Sequence, residues 1–520
     1  MGQNLGLSQR KKGLPLKPNG LSSNNCNRLA HFLLMIKSLS LTSRNAIGAL
    51  ALTIAGCAAI NQPINKPITA GQSSSSDDTS FIPENLDGSV YIGLAFSGGG
   101  TRASAFAHGM LTELQATSRS KSNPDGLLKH VRLVTGVSGG SVTAAYYGLR
   151  GPKGLSTYRD GYLIKDGEKY MSTSAFNPIT LSKGISGGVN SRDTFARFMD
   201  ETIFHGATYK ELLKNRDIQT WINASDIANN APFLFTPETF DALCSDLSQL
   251  PISEAVAASA AVPLVFSPIV LKSHQGCKYT EPDWLVAARH NPESTSAMRA
   301  YAQALESYRD PAKVRYVKLL DGAVTDSFGT TGLSVARAKA KNSYGPLTER
   351  QAVQIKRMLF LVADAGTQKD YQLTQNIKGP GGLQLAQSIA SSATGAATRV
   401  GYDVMRLTLR NWHAALSVFR CTISPDQVVR LRGHSDGWDC ADVKLFVGDI
   451  SFADLDADMR SQLNDIPTRL TLPAQQVDLA ILAGRESTRR SSEFNGFLKS
   501  LKQSASTVSP NARRITPIKN

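Results

Sequence analysis

The chain of 520 residues is long enough for two to four domains of roughly 100–200 residues each. Hydrophobic residues make up 41% and charged residues 19%, which excludes a wholly disordered chain. The net charge of +15 lies mainly at the ends, because residues 1–56 carry seven basic side chains and no acidic one, and residues 484–520 carry a net +6. Since the middle is almost neutral, the sequence argues against a nucleic-acid partner, which would require positive charge on the folded domain.

The N-terminal region has the pattern of a bacterial lipoprotein signal. Residues 46–60 form an apolar run that is too short for a membrane-spanning helix of about 20 residues but fits a signal peptide. Its sequence Leu-Thr-Ile-Ala-Gly-Cys, ending at Cys57, resembles a lipobox, in which the cysteine is lipidated. We predict a signal region over 1–56, within which the signal peptide itself starts at Met35. A lipidated Cys57 and a flexible linker over 57–88 follow. A buried helix with an incidental cysteine is the alternative.

This signal predicts a protein of the bacterial cell envelope, lipid-anchored to a membrane that faces the periplasm or the cell surface. With the signal removed and Cys57 lipidated, four cysteines remain, an even number that suits an oxidising compartment. Local pairing predicts the disulfides Cys244–Cys277 and Cys421–Cys440, with free buried thiols as the alternative. No C-x-x-C spacing occurs. The sequence therefore predicts no metal and no cofactor.

A glycine-rich loop follows the first predicted strand. Residues 90–96 are an apolar segment typical of a buried strand, and Ser-Gly-Gly-Gly-Thr-Arg follows at 97–102. Apolar residues then recur at helical spacing from Ala103 to Leu114, which predicts a helix. Backbone N–H groups at such a loop and helix start favour negative charge there. The loop matches neither a dinucleotide fingerprint nor a P-loop, and a plain tight turn is the alternative.

The second motif is G-x-S-x-G, with Ser138 at its centre. It lies between a predicted strand and a plausible helix. A sharp strand-to-helix turn projects the serine hydroxyl outward, and side chains at Gly136, Gly139 and Gly140 would block both the turn and the substrate. The motif therefore predicts that Ser138 is a nucleophile on an elbow.

The third motif is an acid at the end of a strand. Residues 314–320 read as a strand that ends in Asp321, Gly322 and Ala323. An aspartate at the carboxyl end of a strand lies in the crevice where open α/β sheets hold their ligands. A turn or helix-cap role is the alternative for Asp321. Asp364, at the end of a later predicted strand, is the second acid candidate.

Together and in this order, the three motifs resemble those of the patatin-like phospholipase family: a Gly-Gly-Gly-x-Arg loop, a G-x-S-x-G elbow and an Asp-Gly-Gly/Ala motif. Two further stretches, 223–226 after a strand and 257–268, are similar to the family, and the resemblance covers about residues 90–370. The long interval from the serine to the aspartate predicts inserted loops such as 276–312. The resemblance implies an α/β protein with a three-layer α/β/α patatin-like fold, a mainly parallel central sheet and a nucleophile elbow.

The resemblance also implies a serine acyl hydrolase that releases fatty acids from phospholipid or other lipid esters. Ser138 would attack the ester carbonyl and Asp321 would accept its proton, forming a Ser–Asp dyad without histidine. An aspartate is a poor base at its ordinary pKa of about 3.9, so burial must raise that pKa. The implied partners are a lipid substrate and a membrane surface.

The same resemblance implies an oxyanion hole in the glycine loop. The backbone amides of Gly98, Gly99 and Gly100 would stabilise the tetrahedral intermediate, and Arg102 would hold the loop in place. A single donor of this kind is worth about 10²–10³ in rate.

Two alternative functions remain. An α/β-hydrolase esterase with a Ser-Asp-His triad needs a histidine after the acid, and His413 and His434 follow in that order. Its oxyanion loop, however, would read His-Gly-Gly-Gly, which this chain lacks. A catalytically silent lipoprotein that binds lipid or acts as a scaffold is the second alternative, although it would need neither Ser138 nor Asp321.

The remaining boundaries follow from composition and hydrophobic pattern. We predict a catalytic domain over 89–370, a C-terminal extension over 371–500 that completes or caps the core, and a disordered basic tail over 501–520. Within the extension, residues 443–450 are typical of a strand and residues 474–483 of a final helix.

Overall fold

The structure, a computed structural model, describes residues 61–68, 88–171, 190–366, 375, 377, 379 and 381–507. The predicted signal region 1–56 and Cys57 lie outside the described residues. The strands are β1 Val90–Phe96, β2 Val131–Val137, β3 Gln219–Asp226, β4 Ala231–Leu234, β5 Ile269–Lys272, β6 Tyr316–Asp321, β7 Arg357–Asp364 and β8 Lys444–Ser451.

The helices flank these strands along the whole described chain. They are α1 Gly100–Ala116, α2 Gly139–Arg150, α3 Leu155–Tyr158, α4 Arg192–Met199, α5 Tyr209–Lys214, α6 Pro237–Ala242, α7 Ile252–Ser259, α8 Asp283–His290, α9 Ser296–Tyr308, α10 Thr331–Lys339, α11 Glu349–Gln354, α12 Gly382–Thr422, α13 Pro425–Arg432, α14 Ala457–Asn464, α15 Ala474–Arg490 and α16 Ser492–Thr507. Within the described ranges, no helix is long and apolar enough to cross a membrane.

The strands form one mixed sheet in the order β5-β6-β3-β2-β1-β7-β8, with β4 paired to β3. The pairs β1–β2, β1–β7, β2–β3 and β7–β8 are parallel, whereas β6 runs antiparallel to both β3 and β5. Helices after β1 and β2 return across the sheet, as parallel neighbours require. The predicted α/β/α fold with a mainly parallel sheet is confirmed.

Each face of the sheet has its own apolar core. Ile92 and Leu94 of β1 belong to the core beneath α1 and α2, whereas Tyr91 and Ala95 belong to the core beneath α12. Successive strand residues point to opposite faces, so a strand covered on both sides reads as a continuous apolar run. This explains why β1 and β2 are buried along their whole length.

Both predicted disulfides are confirmed. Cys244 is bonded to Cys277 with their Cα atoms 5.6 Å apart, and Cys421 is bonded to Cys440 with their Cα atoms 4.9 Å apart. The bonds close segments of 33 and 19 residues and restrict the unfolded chain.

Part of the predicted linker is not flexible. Residues 61–68 pack against the domain, because the side chain of Asn61 donates to the carbonyls of Ser267 (3.0 Å) and Pro268 (2.9 Å). Asn65 donates to Ser245 Oγ at 2.9 Å in the same way. Polar composition suggested a tether, but these asparagines are buried and fully used in hydrogen bonds to distant parts of the chain.

Two expectations within the catalytic region are also wrong. The insertion over 276–312 is largely helical, since it contains α8 and α9, whose apolar residues pack into the core. Asn223–Asp226 does not follow a strand but is the buried carboxyl end of β3.

The C-terminal region lies against the catalytic elements. β8 extends the sheet beside β7, and α15 crosses α1 so closely that a Cβ atom at Gly109 would lie 3.0 Å from the Cα atom of Gly484. The helix over 474–483 is not the last one, because α16 follows and continues to Thr507. Residues 501–507 are therefore helical rather than a disordered tail, since the apolar face of α16 packs on β7 and β8.

Candidate active site

Ser138 occupies a strained elbow between β2 and α2. Its backbone has φ 53° and ψ −124°, a conformation that costs a non-glycine residue about 1–3 kcal/mol and persists only when its surroundings enforce it. The Ser138 N–H donates to Ser259 Oγ at 2.9 Å, and its carbonyl accepts from Ser141 Oγ at 2.6 Å. These contacts hold the side chain at the carboxyl edge of the sheet.

The three elbow glycines are required by close backbone contacts. A Cβ atom at Gly136 would lie 2.5 Å from the carbonyl oxygen of Gly140, and one at Gly140 would strike the carbonyl oxygen of Phe96. A Cβ atom at Gly139 would strike the carbonyl of Gly100 in the glycine loop. The elbow and the loop therefore pack against each other through bare backbone.

Asp321 reaches the serine because β6 lies beside β3, the neighbour of β2. It is the last residue of β6, and its backbone N–H donates to the carbonyl of Ala261 at 2.9 Å. Its Oδ1 accepts from the N–H of Ala323 at 3.0 Å, and its carboxyl accepts a hydrogen bond from the Ser138 hydroxyl. The structure thus brings the two predicted residues into direct contact, both of them buried.

Burial raises the pKa of the Asp321 carboxyl to about 6, although the hydrogen bonds from Ala323 and Ser138 favour the charged form. A buried carboxylate loses hydration, so its charged form is disfavoured. The pKa therefore moves toward neutral pH, where a carboxylate is a far better proton acceptor than a surface aspartate.

The glycine loop lies directly against the nucleophile. A Cβ atom at Gly98 would lie 3.3 Å from the Cβ atom of Ser138 and 3.9 Å from its Oγ. Gly99 and Gly100 have φ values of 137° and 59°, which favour glycine. Within the described residues, the backbone N–H groups of Gly98, Gly99 and Gly100 donate to no protein acceptor. The loop therefore presents free donors beside the serine hydroxyl.

Arg102 holds this loop to the C-terminal region. Its guanidinium donates to the carbonyl of Ile466 and, at 3.2 Å, to Thr468 Oγ1. The backbone N–H of Thr101 donates to the carbonyl of Arg469 at 2.8 Å. Burial lowers the pKa of Arg102 to about 10, still far above neutral, so the side chain remains charged. It acts on the site by positioning the loop.

Two polar residues at the site carry no role in the sequence analysis. Ser259 of α7 accepts from Ser138 N and donates to the Asn223 carbonyl at 2.6 Å, while the Asn223 amide donates to Thr135 and Gly136. Together they support the elbow from beneath. Their signal in the sequence is their place in the two stretches 223–226 and 257–268 that are similar to the family.

The two histidines of the alternative triad and the second acid candidate make other contacts. His413 Nε2 is 2.9 Å from the carbonyl of Val443, and His434 lies in the exposed loop after α13. Asp364 accepts from the N–H of Gly366 at 2.9 Å. Because Asp321 contacts Ser138 without an intervening imidazole, the geometry does not favour the triad. In the described ranges, no group of three or more His, Cys, Asp and Glu side chains is placed to hold a metal ion.

Fold and site define a class: an α/β protein with a serine nucleophile elbow, an adjacent acid and a glycine loop with free amides. Residues 94–333 match the family model described as patatin-like phospholipase. This part of the chain is therefore similar to the patatin-like phospholipase family. The match spans all three motifs, and no curated protein sequence matches the chain.

Solved structures give distant similarities. Human GIVD cytosolic phospholipase A2 is 12% identical, with 81% of this chain and 63% of that chain covered and a TM-score of 0.34. VipD from Legionella pneumophila is 12% identical, with 86% and 73% covered and a TM-score of 0.29. The chain thus spans less than two-thirds of the length of the human phospholipase. The family match, and not these similarities, carries the assignment.

Proposed function

We propose that the protein is a carboxylic ester hydrolase that releases fatty acids from lipid esters, phospholipids among them, through a Ser138–Asp321 dyad. The observation that carries the proposal is the placement of the elbow serine beside the buried carboxyl of Asp321, whose pKa burial raises to about 6 and the Ser138 hydroxyl lowers. A nucleophile and its base within hydrogen-bond reach are what covalent acyl transfer requires.

The first half of the reaction forms an acyl-enzyme. Ser138 Oγ attacks the ester carbonyl carbon while Asp321 takes the hydroxyl proton. The tetrahedral intermediate collapses, the bond to the alcohol oxygen breaks, and the proton passes from Asp321 to the departing alcohol. In the second half a water molecule gives its proton to Asp321 and attacks the acyl carbon. Fatty acid leaves, and the proton returns to Ser138.

The charge on the intermediate falls on the former carbonyl oxygen. The free amides of Gly98, Gly99 and Gly100 lie beside Ser138 and are the donors that we assign to this oxyanion. Such preorganised donors act strongly in a site from which water is excluded. Arg102 is a positioning residue in this scheme, because its hydrogen bonds go to the C-terminal region.

The function is tested by measuring fatty acid released from phospholipid vesicles and chromophore released from a p-nitrophenyl acyl ester. We expect the wild type to cleave both. Gly98→Ala places a methyl group beside Ser138, where the substrate carbonyl must lie, and is expected to lower kcat/KM by about 10–100-fold with little change in stability. Gly161→Ala is the matched control, because a Cβ atom there meets nothing within 4 Å. An inactive wild type overturns the function, and a fully active Gly98→Ala overturns the position of the oxyanion hole.

We also propose that Cys57 carries a lipid that anchors the protein to a membrane of the bacterial cell envelope. The lipobox pattern and the apolar run before it support this proposal. Asn61, four residues after Cys57, is bonded to the domain, so an anchor at Cys57 would hold the domain close to the membrane surface.

We expect radiolabelled palmitate to be incorporated into the wild type and into Cys26→Ala, but not into Cys57→Ala. The wild type should also stay with membranes that are extracted at alkaline pH. Cys57→Ala should be released, because this variant lacks the lipidated cysteine. Labelled Cys57→Ala protein would contradict the anchor.

A further inference from the structure

The long helix α12 leaves a row of large apolar side chains in solvent. We call this row the apolar stripe. It consists of Leu385 (48% exposed), Ile389 (62%), Val400 (63%), Leu407 (60%) and Val418 (65%). Their separations of 4, 11, 7 and 11 residues keep them on one side of a helix. The stripe therefore follows almost the whole helix.

The opposite side of α12 is buried against the domain. Met405, Leu409, Trp412 and Leu416 are buried in the core that covers one face of the sheet. A surface helix of a water-exposed protein normally turns a polar side to solvent. Helix α12 is apolar on both sides, and an extended exposed apolar surface marks an interaction site.

The charges beside the stripe are mainly positive. Arg399, Arg406 and Arg410 are exposed on α12, against one exposed acid, Asp403, while Arg420 is buried and donates to backbone carbonyls. Arginine stems extend along apolar surface and place the guanidinium at its edge. Apolar side chains flanked by cations fit the boundary between the acyl chains and the headgroups of an anionic bilayer.

The side of α12 opposite the stripe packs against the turn that follows the catalytic aspartate. The Ser327 hydroxyl donates to the carbonyl of Thr394 on α12 at 3.1 Å, and a Cβ atom at Gly401 would lie 3.7 Å from Asp326 Oδ1. The N–H of Asp326 in turn donates to the carbonyl of Gly322, the residue after the catalytic aspartate, at 2.9 Å. The N-terminal half of α12 thus packs against the turn that carries Asp321.

We propose that the apolar stripe and its arginines form the surface on which the protein rests on an anionic phospholipid bilayer, with α12 lying in the plane of the interface. The proposal rests on the proposed lipid substrate. It adds an orientation that a lipid at Cys57 would not supply by itself: the face of the sheet that α12 covers is turned toward the layer from which substrate is drawn, and the turn that carries Asp321 lies beneath the N-terminal half of the helix.

The test is vesicle flotation of the full chain carrying Cys57→Ala and Ser138→Ala, so that neither the anchor nor hydrolysis contributes. The probes are phosphatidylcholine vesicles with and without phosphatidylglycerol. In one variant Arg399, Arg406 and Arg410 are replaced by glutamine, and in another Val400 and Leu407 are replaced by serine. We expect partitioning onto the anionic vesicles to fall about 10–100-fold in the first variant and about 10-fold in the second.

Matched controls remove the same charge and the same apolar area elsewhere. Arg119 follows α1, Arg150 is the last residue of α2 and Lys153 follows it, all at the edge of the sheet away from Ser138; the three are changed to glutamine together. A second control changes the exposed Leu213 and Leu482 to serine. Both controls should bind vesicles within about twofold of the parent protein, which carries only Cys57→Ala and Ser138→Ala.

Wild-type-like binding of both α12 variants, with unchanged unfolding midpoints, overturns the proposal. So does a wild-type dimer that the serine variant converts to a monomer without weaker vesicle binding, since α12 would then be a subunit interface. An inactive wild type whose binding still depends on α12 would refute the proposed hydrolysis and leave the membrane surface supported.

Discussion

Replacing Ser138 by alanine, or Asp321 by asparagine, is expected to lower kcat/KM for a p-nitrophenyl acyl ester by at least about 10³-fold. The first change removes the nucleophile. The second keeps an oxygen that accepts from Ala323 N but removes the carboxylate that we propose as the acceptor of the Ser138 proton. The double variant should be no less active than either single variant, because the two residues act as one unit.

The pH dependence and two further variants check this assignment. In the wild type, kcat/KM should rise about tenfold per pH unit below about pH 6, where Asp321 is half ionised, and level off above it. His413→Ala and Asp364→Asn should stay within about threefold of the wild type, because neither side chain contacts the dyad. A large loss in His413→Ala would favour the triad, and substantial activity in Asp321→Asn would refute the dyad.

The same Asp321→Asn change is expected to stabilise the fold at neutral pH. The pKa of Asp321 is about 6 in the folded protein, against an ordinary value of 3.8, so the folded state holds the proton more tightly than the unfolded chain. Ionisation therefore destabilises the fold: the cost is absent below about pH 4, grows between pH 4 and 6, and is complete above pH 6. At about 1.4 kcal/mol per pKa unit, the cost reaches about 3 kcal/mol at pH 8.

Urea unfolding of the wild type and Asp321→Asn at pH 8 and pH 4.5 measures this effect. The variant should be more stable by up to about 3 kcal/mol at pH 8, and most of the difference should vanish at pH 4.5. The exposed Asp217→Asn serves as the control for removal of a carboxylate and should change stability by less than about 0.5 kcal/mol at either pH. A variant destabilised equally at both pH values would show that Asp321 bears no ionisation cost.

This combination ties activity to stability. A carboxyl that is buried enough to accept a proton near neutral pH is one that the fold must pay to ionise. The strained φ and ψ of Ser138 add a second local cost at the same place. Contacts around the site offset both free-energy costs. The main ones are the hydrogen bond from Ser138 N to Ser259 beneath the elbow and the β6–β3 pairing that carries Asp321.

Local chemistry explains what was predictable. The strands β1 and β2, which precede the first two motifs, are buried on both faces and read as apolar runs, whereas β6 before Asp321 alternates exposed and buried residues. The elbow glycines are visible because only glycine permits backbone contacts as close as those between Gly139 and Gly100. The disulfides pair cysteines near in sequence, so the shorter pairing was the one realised.

The features that the sequence did not predict also share a cause. The segment over 61–68 reads as polar linker, yet Asn61 and Asn65 satisfy backbone and side-chain groups more than 170 residues away. The strap formed by Ile466, Thr468 and Arg469 over the glycine loop is likewise set by contacts more than 360 residues apart. Partners at such separations leave no periodic pattern for a single sequence to show.

By itself, the sequence determined the order of the motifs, the serine Ser138, the acid candidates Asp321 and Asp364, and the fold class, because each depends on residue type and spacing within a few turns of chain. Only the tertiary structure decided which acid meets the serine, how deeply that carboxyl is buried, and which side of α12 remains in solvent. Those properties depend on the order of strands in the sheet and on what packs over them, and strand order is fixed by contacts between segments remote in sequence.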